Sequence, residues 1–435
     1  MWNRSHHLRL VIAASLSAFI LFASPPPRTG SAHEPITTKV MFNKEVVRIL
    51  ERNCLACHAP GKIKSDIPLT TYEEARPWAK AIKEEVLEKR MAPFQAVKGY
   101  GSFVHDYRLP QRDVELLVSW IEGGAPRGEA KDYPKEEIDK LITGNEWELG
   151  APDLILQPDR ETRIAPEGDD ETLCFVLPTN LKEDRWINAI DFQPGAGTVV
   201  YSASMFVVPP SGGRVPAKAG NTSDCPPNAE AIGHWAPGQR VSRLPNGAAI
   251  RLPANSRVAA QIRYRKNGQA GADRSSVGLY FAKDPPGKFV RSVTINAPAT
   301  VIPADAESPR VKASYAINES TEAVAIRPLL FPFAKSIEVS AHRPDGSVEV
   351  LIWAKDYRFD WQPAYFFKKP VALPAGARVE VTAYLDNSEK NRNTPNNQAA
   401  ETRFAGALCE LSLTSTATLK QARLGRSASL TVPKN

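Results

Sequence analysis

The sequence predicts a multidomain chain: a small all-α domain followed by two tandem antiparallel β-sandwiches of jelly-roll-like form. Three observations predict it. Over residues 37–128, apolar residues recur at helical spacing. Beyond residue 150 they alternate in short runs separated by Pro, Gly and Asn. The length, 435 residues, suits two or three domains. With 42% hydrophobic and 24% charged residues, the composition is that of an ordinary globular protein.

Residues 1–32 read as a signal peptide. Arg4 and Arg9 give a positive start, and Leu10 to Ala23 is apolar apart from Ser15 and Ser17. Gly30-Ser31-Ala32 suits a signal peptidase. The run is short for a bilayer span, which takes about 20 residues. A periplasmic or secreted location is therefore expected, with membrane contact only through an uncleaved signal.

The helical domain is expected over 37–128. Asn43 to Asn53 carries Val46, Val47 and Leu50 at helical spacing and leads into Cys54-Leu55-Ala56-Cys57-His58. C-x-x-C-H is the attachment site of a c-type haem. The two thiols add across the haem vinyl groups, and the adjacent histidine ligates iron. A zinc site needs four ligands, and no second Cys/His pair stands nearby. A thioredoxin-like pair wants a βαβ context, which is missing. A capping box, Thr71-Tyr72-Glu73-Glu74, starts a helix expected to reach Arg90, with a bend near Pro77. A third begins near Pro110 and ends at Gly123-Gly124, where glycine serves as C-cap.

Three helices around a C-x-x-C-H site resemble the class I c-type cytochromes, over roughly a fifth of the chain. The resemblance implies one covalent haem c, with Cys54 and Cys57 as thioether tethers and His58 as proximal iron ligand. It also implies an axial methionine in an R-M-P-P-W-like turn. Arg90-Met91-Ala92-Pro93-Phe94 matches that turn except at Ala92 and Phe94, so Met91 is the expected distal ligand. Met41 and His105 are its local rivals. His/Met ligation raises the potential relative to bis-His, and a six-coordinate iron passes electrons without an open position for oxygen. Pro60, Trp78, Phe94 and Trp120 are candidates for haem packing or for ordinary core.

Residues 129–150 read as a charged linker. Sandwiches are expected over 151–292 and 293–420, with a tail over 421–435. The strand signal is clearest in the alternating runs 257–264, 276–281, 336–340 and 378–384. Pro194-Gly195, Pro245-Asn246-Gly247, Pro344-Asp345-Gly346 and Pro374-Ala375-Gly376 mark turns between strands.

A further resemblance lies in the order of several short phrases. They are Ile190-Asp191-Phe192-Gln193-Pro194-Gly195, Trp235-Ala236-Pro237-Gly238-Gln239, Gly247 to Pro253, Asp273-Arg274-Ser275-Ser276-Val277-Gly278-Leu279, Trp361-Gln362-Pro363-Ala364-Tyr365 and Asp386-Asn387-Ser388. Together they resemble the copper type II, ascorbate-dependent monooxygenases, a family that includes peptidylglycine α-hydroxylating monooxygenase. The family's copper ligands do not carry over. Tyr201 and Ser202 stand at its His-His pair and Arg263 at the histidine of its Q-V-H-Y strand. Leu329 and Phe331 stand at its His-x-His, and Leu408 at its methionine. The resemblance thus implies a degenerate scaffold with apolar filling at Leu329 and Phe331, and a charge at Arg263 that must meet solvent or a carboxylate. Histidine counting agrees. Of seven, His6 and His7 fall in the signal, His33 follows it, His58 serves the haem and His105 is in the helical domain. His234, His342 and a lone Met205 cannot supply the roughly three ligands that each of two coppers needs. Copper is not expected.

Two of five cysteines belong to the haem motif. Among Cys174, Cys225 and Cys409 an oxidising compartment allows one disulfide, whose pairing stays open. The formal charge of +7 comes from scattered Lys and Arg with no basic stripe, which argues against nucleic acid. It suits docking to an acidic redox partner protein, but a plain soluble surface is the first reading. The expected function is electron transfer by an exported monohaem c-type cytochrome, not catalysis, with the sandwiches used for docking or binding. Two alternatives stand: a haem-reduced monooxygenase with a rebuilt metal site, and a ligand-binding module carrying a haem.

Overall fold

The computed structural model describes residues 37–91, 96–144, 147–210, 225–226, 229–329, 334–355, 361–391 and 401–415. The expected signal (1–32) and tail (421–435), and with them His33, Phe94 and Phe331, lie outside the described residues. Among the described residues the regular structure is mostly β-strand, and the helices gather at the N-terminal side. None of the described helices is long and apolar enough to cross a membrane.

A π turn, Phe42–Val46, runs straight into α1 (Val47–Asn53). Its Phe42, Val46, Val47 and Leu50 are wholly buried. The expected capping box opens α2 (Tyr72–Ala75): Glu74 N–H donates to Thr71 Oγ1 at 3.2 Å, and Thr71 N–H donates to Glu74 Oε2 at 2.9 Å. Pro77 interrupts this helix more than a bend would, as a 3-10 turn at Arg76–Trp78 before α3 (Ala79–Leu87). After Pro110 comes α4 (Gln111–Glu122). It ends at Gly123, where a Cβ would overlap Thr38. Trp120 is buried in the helical core and donates to the Pro126 carbonyl at 3.0 Å.

The stretch 129–150 is more than a linker. Within it α5 (Lys135–Thr143) buries Ile138 and packs Leu141 and Ile142 on the same helical core. At positions i, i+3 and i+4 these three residues share one helical face, beneath a charged outer face. The Trp147 ring lies against Gly278, where a Cβ would come within 2.7 Å of it.

The first sandwich comprises β1 (Leu154–Leu156), β2 (Thr162–Ile164), β3 (Glu171–Pro178), β4 (Arg185–Gln193), β5 (Val200–Val208), β6 (Glu230–Trp235), β7 (Ala248–Leu252), β8 (Arg257–Tyr264), β9 (Gly271–Asp273) and β10 (Ser276–Phe281). The second comprises β11 (Lys288–Asn296), β12 (Thr300–Ile302), β13 (Arg310–Ala316), β14 (Thr321–Pro328), β15 (Ala334–His342), β16 (Val348–Lys355), β17 (Tyr365–Leu373), β18 (Arg378–Leu385), β19 (Thr402–Phe404) and β20 (Ala407–Ser415). In the first, β1-β10-β4-β7 shares a core with β3-β8-β5-β6, and β2-β9 forms a ribbon. In the second, β11-β20-β14-β17 shares a core with β13-β18-β15-β16, and β12-β19 forms a ribbon. Each strand number in the second order is the first plus ten, so the two sandwiches have one topology. Alternation builds both cores: Val258, Ala260, Ile262 and Tyr264 point inward from β8, and Val379, Val381, Ala383 and Leu385 from β18.

The sandwiches are fused. Strands β7 and β11 pair in parallel at Ala248–Lys288 and Ala249–Phe289, joining two four-stranded halves into one eight-stranded sheet. The boundary expected at 292/293 therefore falls inside β11. The break lies earlier, at Pro285-Pro286-Gly287, where two prolines remove ladder donors. Chain from the helical region also reaches the sheets. Residues 96–104 leave the helices and bridge the edge strands β16 and β17 through Ala96–Ala354 and Phe103–Phe367. Val97 N–H donates to Trp353 O and Val104 N–H to Phe366 O, each at 2.8 Å. One segment thereby satisfies two open sheet edges.

Cys174 and Cys225 form a disulfide, with Cα atoms 5.4 Å apart. Such bonds persist in oxidising compartments. Cys409 is a fully buried thiol whose Sγ lies 3.5 Å from Glu410 O. Asp273, also buried, accepts from Tyr264 Oη at 2.8 Å, Ala196 N–H at 2.9 Å and Ser275 Oγ at 2.9 Å. It ties β8, β9 and the Pro194-Gly195 turn together. At the seam between the sandwiches His234 Nδ1 meets Ser204 Oγ at 3.0 Å, and burial, with the Arg327 charge nearby, holds this histidine well below its ordinary pKa.

Replacing Tyr264 with Phe leaves a buried carboxylate one donor short. A loss of about 1–2 kcal/mol is expected, read as a lower urea midpoint at unchanged slope. His234 is neutral in the fold but takes a proton in the unfolded chain below about pH 6.5. Stability should therefore fall as pH drops below that value, by at most ~1.4 kcal/mol per pH unit. In urea titrations at about pH 7 and about pH 5, the His234→Gln protein should lose less stability than the wild type.

Candidate haem-attachment site

The end of α1 sets the site. Cys54 N–H donates to Leu50 O at 2.7 Å, and Cys57 N–H and His58 N–H both return to Cys54 O, at 3.0 and 2.9 Å. Lys64 N–H donates to Cys57 O at 3.0 Å and Leu69 N–H to His58 O at 2.9 Å. Cys54, Cys57 and His58 are thus held in one compact loop. Neither cysteine is in a disulfide. Burial, reinforced by Cys57, pushes the Cys54 thiol up to about 12.

His58 Nδ1 lies 2.9 Å from the Ile67 carbonyl oxygen. A carbonyl only accepts, so Nδ1 carries the proton and Nε2 keeps its lone pair. Burial lowers the His58 pKa and favours the neutral, metal-binding form. Two thiols and an imidazole with one nitrogen oriented by the backbone fit the donor set of a c-type haem.

Met91 follows the end of α3. Lys89, at φ 58, turns the chain, and Arg90 N–H and Met91 N–H both donate to Glu85 O, at 2.9 and 3.2 Å. The Arg90 guanidinium reaches Glu84 and Glu85 at 2.9 Å each, which braces the turn. Met91 itself is half-buried. Its rivals lie on other segments. His105 lies on the chain segment that crosses to the sandwiches, its Nε2 3.2 Å from Val241 O. Met41 starts the π turn, with its N–H on Glu45 Oε2 at 2.9 Å. Trp78 is 40% exposed and Trp120 belongs to the helical core.

The C-x-x-C-H loop also touches the first sandwich, a contact that the sequence did not reveal. A Cβ on Gly238 would sit 3.7 Å from Cys57 Sγ, and one on Gly197 would come 2.5 Å from Gly61 O. The signals were present only as the turn phrases around Pro194-Gly195 and Pro237-Gly238.

The five described copper-ligand positions of the resemblance separate into two places. Ser202 on β5 pairs with Arg263 on β8. The Arg263 guanidinium lies 5.3 Å from the Tyr201 ring centre and 3.7 Å from Asp170, the carboxylate that its charge required. In the second sandwich Leu329 N–H donates to Leu408 O at 2.8 Å, and Leu408 is wholly buried. Phe331 lies outside the described residues. Among the described residues no three His, Cys, Asp or Glu side chains gather as a metal site. A cavity of about 80 Å³ lies between the sandwiches, lined by Ile190, His234, Val241, Ile326 and Phe366 among others.

No family model and no curated protein matches the chain. Solved structures match it at low similarity. One is infectious bursal disease virus Gx strain, at 7% identity over 61% of this chain and 72% of that chain, with a TM-score of 0.20. Another is PNGF-II, at 9% identity over 66% and 68%, with a TM-score of 0.26. A third is the N-terminal CBM22-1-CBM22-2 tandem domain of Xyn10C from Paenibacillus barcinonensis, at 9% identity over 62% and 94%, with a TM-score of 0.14. At such scores the likeness carries no argument about this chain.

Proposed function

We propose that the chain is an exported monohaem c-type cytochrome that transfers electrons through a His/Met-ligated haem to or from a redox partner protein. The carrying observation is the His58 Nδ1–Ile67 O contact beside Cys54 and Cys57. It leaves one imidazole nitrogen for iron next to two thiols held in the same loop. Bound haem supplies a one-electron iron couple. Cys54 and Cys57 tether the group, and His58 is oriented by its backbone partner. Met91, on a turn braced by Arg90, supplies a thioether that favours the reduced metal. The C-x-x-C-H motif, the signal peptide expected from the sequence and the Cys174–Cys225 disulfide all suit a compartment outside the cytoplasm. The sandwiches belong to this proposal as a copper-free, monooxygenase-like scaffold for docking or binding. The positions that would hold copper in the resembling family carry Tyr201, Ser202, Arg263, Leu329, Phe331 and Leu408.

Replacing Met91 with Ala should abolish the weak red absorbance band of methionine-ligated ferric haem and let carbon monoxide bind the reduced protein. Spectra identical to the wild type would remove Met91 from the iron. Replacing Cys57 with Ser should leave the haem on a single thioether, read by mass spectrometry of the haem peptide. Two intact links in that variant would contradict the attachment.

A further inference from the structure

We propose that the sandwiches complete the haem crevice, with Trp361 as the positioning residue that holds residues 236–239 against Cys57. The inference rests on haem attachment at Cys54 and Cys57, and it gives the β domains a role in setting the potential.

Gly238 has φ +76, and its α-carbon backbone approaches Ala56 and Cys57 with no side chain between; a Cβ there would be 3.6 Å from Ala56 Cβ. A positive φ at this site favours glycine. A thioether formed at Cys57 therefore emerges beside this backbone. The loop is fastened from the second sandwich. The buried Trp361 indole donates Nε1–H to Pro237 O at 3.0 Å. Gln239 works in both directions: its Oε1 accepts from Ala364 N–H at 3.2 Å, and its Nε2 donates to His234 O at 2.9 Å. Tyr107, on the segment that leaves the helical core, packs edge-on against Trp361 at 5.5 Å. Its Oη accepts from Arg240 N–H at 2.9 Å. Helices, first sandwich and second sandwich interlock at this one place, which is also where the haem tether lies.

The physical consequence concerns charge. Oxidised haem carries one more positive charge than reduced haem, and a charge costs more where water is excluded. A wall of protein at the tether therefore favours the reduced state, because burial is one of the levers on haem potential. Trp361 acts on the potential through Pro237 and Gly238, without touching iron.

The test is a redox titration of the full-length, exported protein. It compares the wild type with Trp361→Phe, which keeps a ring and loses the donor, and with Gln239→Leu. Trp186→Phe, whose ring packs on Phe289 instead, is the control. Both loop variants should show a negative shift in midpoint potential at unchanged haem content and unchanged axial-ligand bands, and the control should match the wild type. Wild-type potentials in both loop variants would overturn the inference and leave the attachment untouched. If Trp361→Phe does not fold, Gln239→Leu alone decides. A wild-type protein without covalent haem would overturn the attachment itself, and the inference with it.

Discussion

One hydrogen bond governs what the candidate site can do. An imidazole has two nitrogens, and a metal ligand needs the second one oriented and in the right tautomer. The Ile67 carbonyl, 2.9 Å from His58 Nδ1, supplies both conditions. Leu69 N–H, returning to His58 O, holds the same loop from the other side. Because Ile67 and Leu69 pack on the helical core, the ring's orientation is a property of the fold and does not wait for a metal.

The β region rests on a different constraint, the continuity of one sheet. Two sandwiches with the same strand order meet at the parallel β7–β11 pair, so neither has a free inner edge at the seam. The outer edges beside β16 and β17 are covered by chain coming from the helices. The helical and β regions are therefore mutually dependent. In the second sandwich Leu408 adds apolar volume to the core, whereas in the first the Arg263 guanidinium reaches the Tyr201 ring and Asp170. Those are two different ways of placing side chains that are not metal ligands.

Local features were legible in the sequence. The Thr71–Glu74 box, the Gly123 stop and the alternation in 257–264 and 378–384 each encode structure within a few residues. The C-x-x-C-H motif marked the loop that the fold makes compact. What was not legible depends on distant partners. The parallel seam needs residues 248–249 to meet 288–289, and no local pattern announces a parallel pair. Residues 96–104 lack strand alternation because their pairing is with two edges at once. Helix α5 did carry Ile138, Leu141 and Ile142 at helical spacing, but its charged face made it read as linker. The value of Gly238 and Gly197 lies in close approach, which only the folded chain displays.

Metal and haem analysis of the purified, exported protein tests covalent haem attachment most directly. One iron per chain is expected, retained as haem after acid–acetone extraction, with no stoichiometric copper. Haem that extracts freely, or copper at one or more per chain, would contradict it.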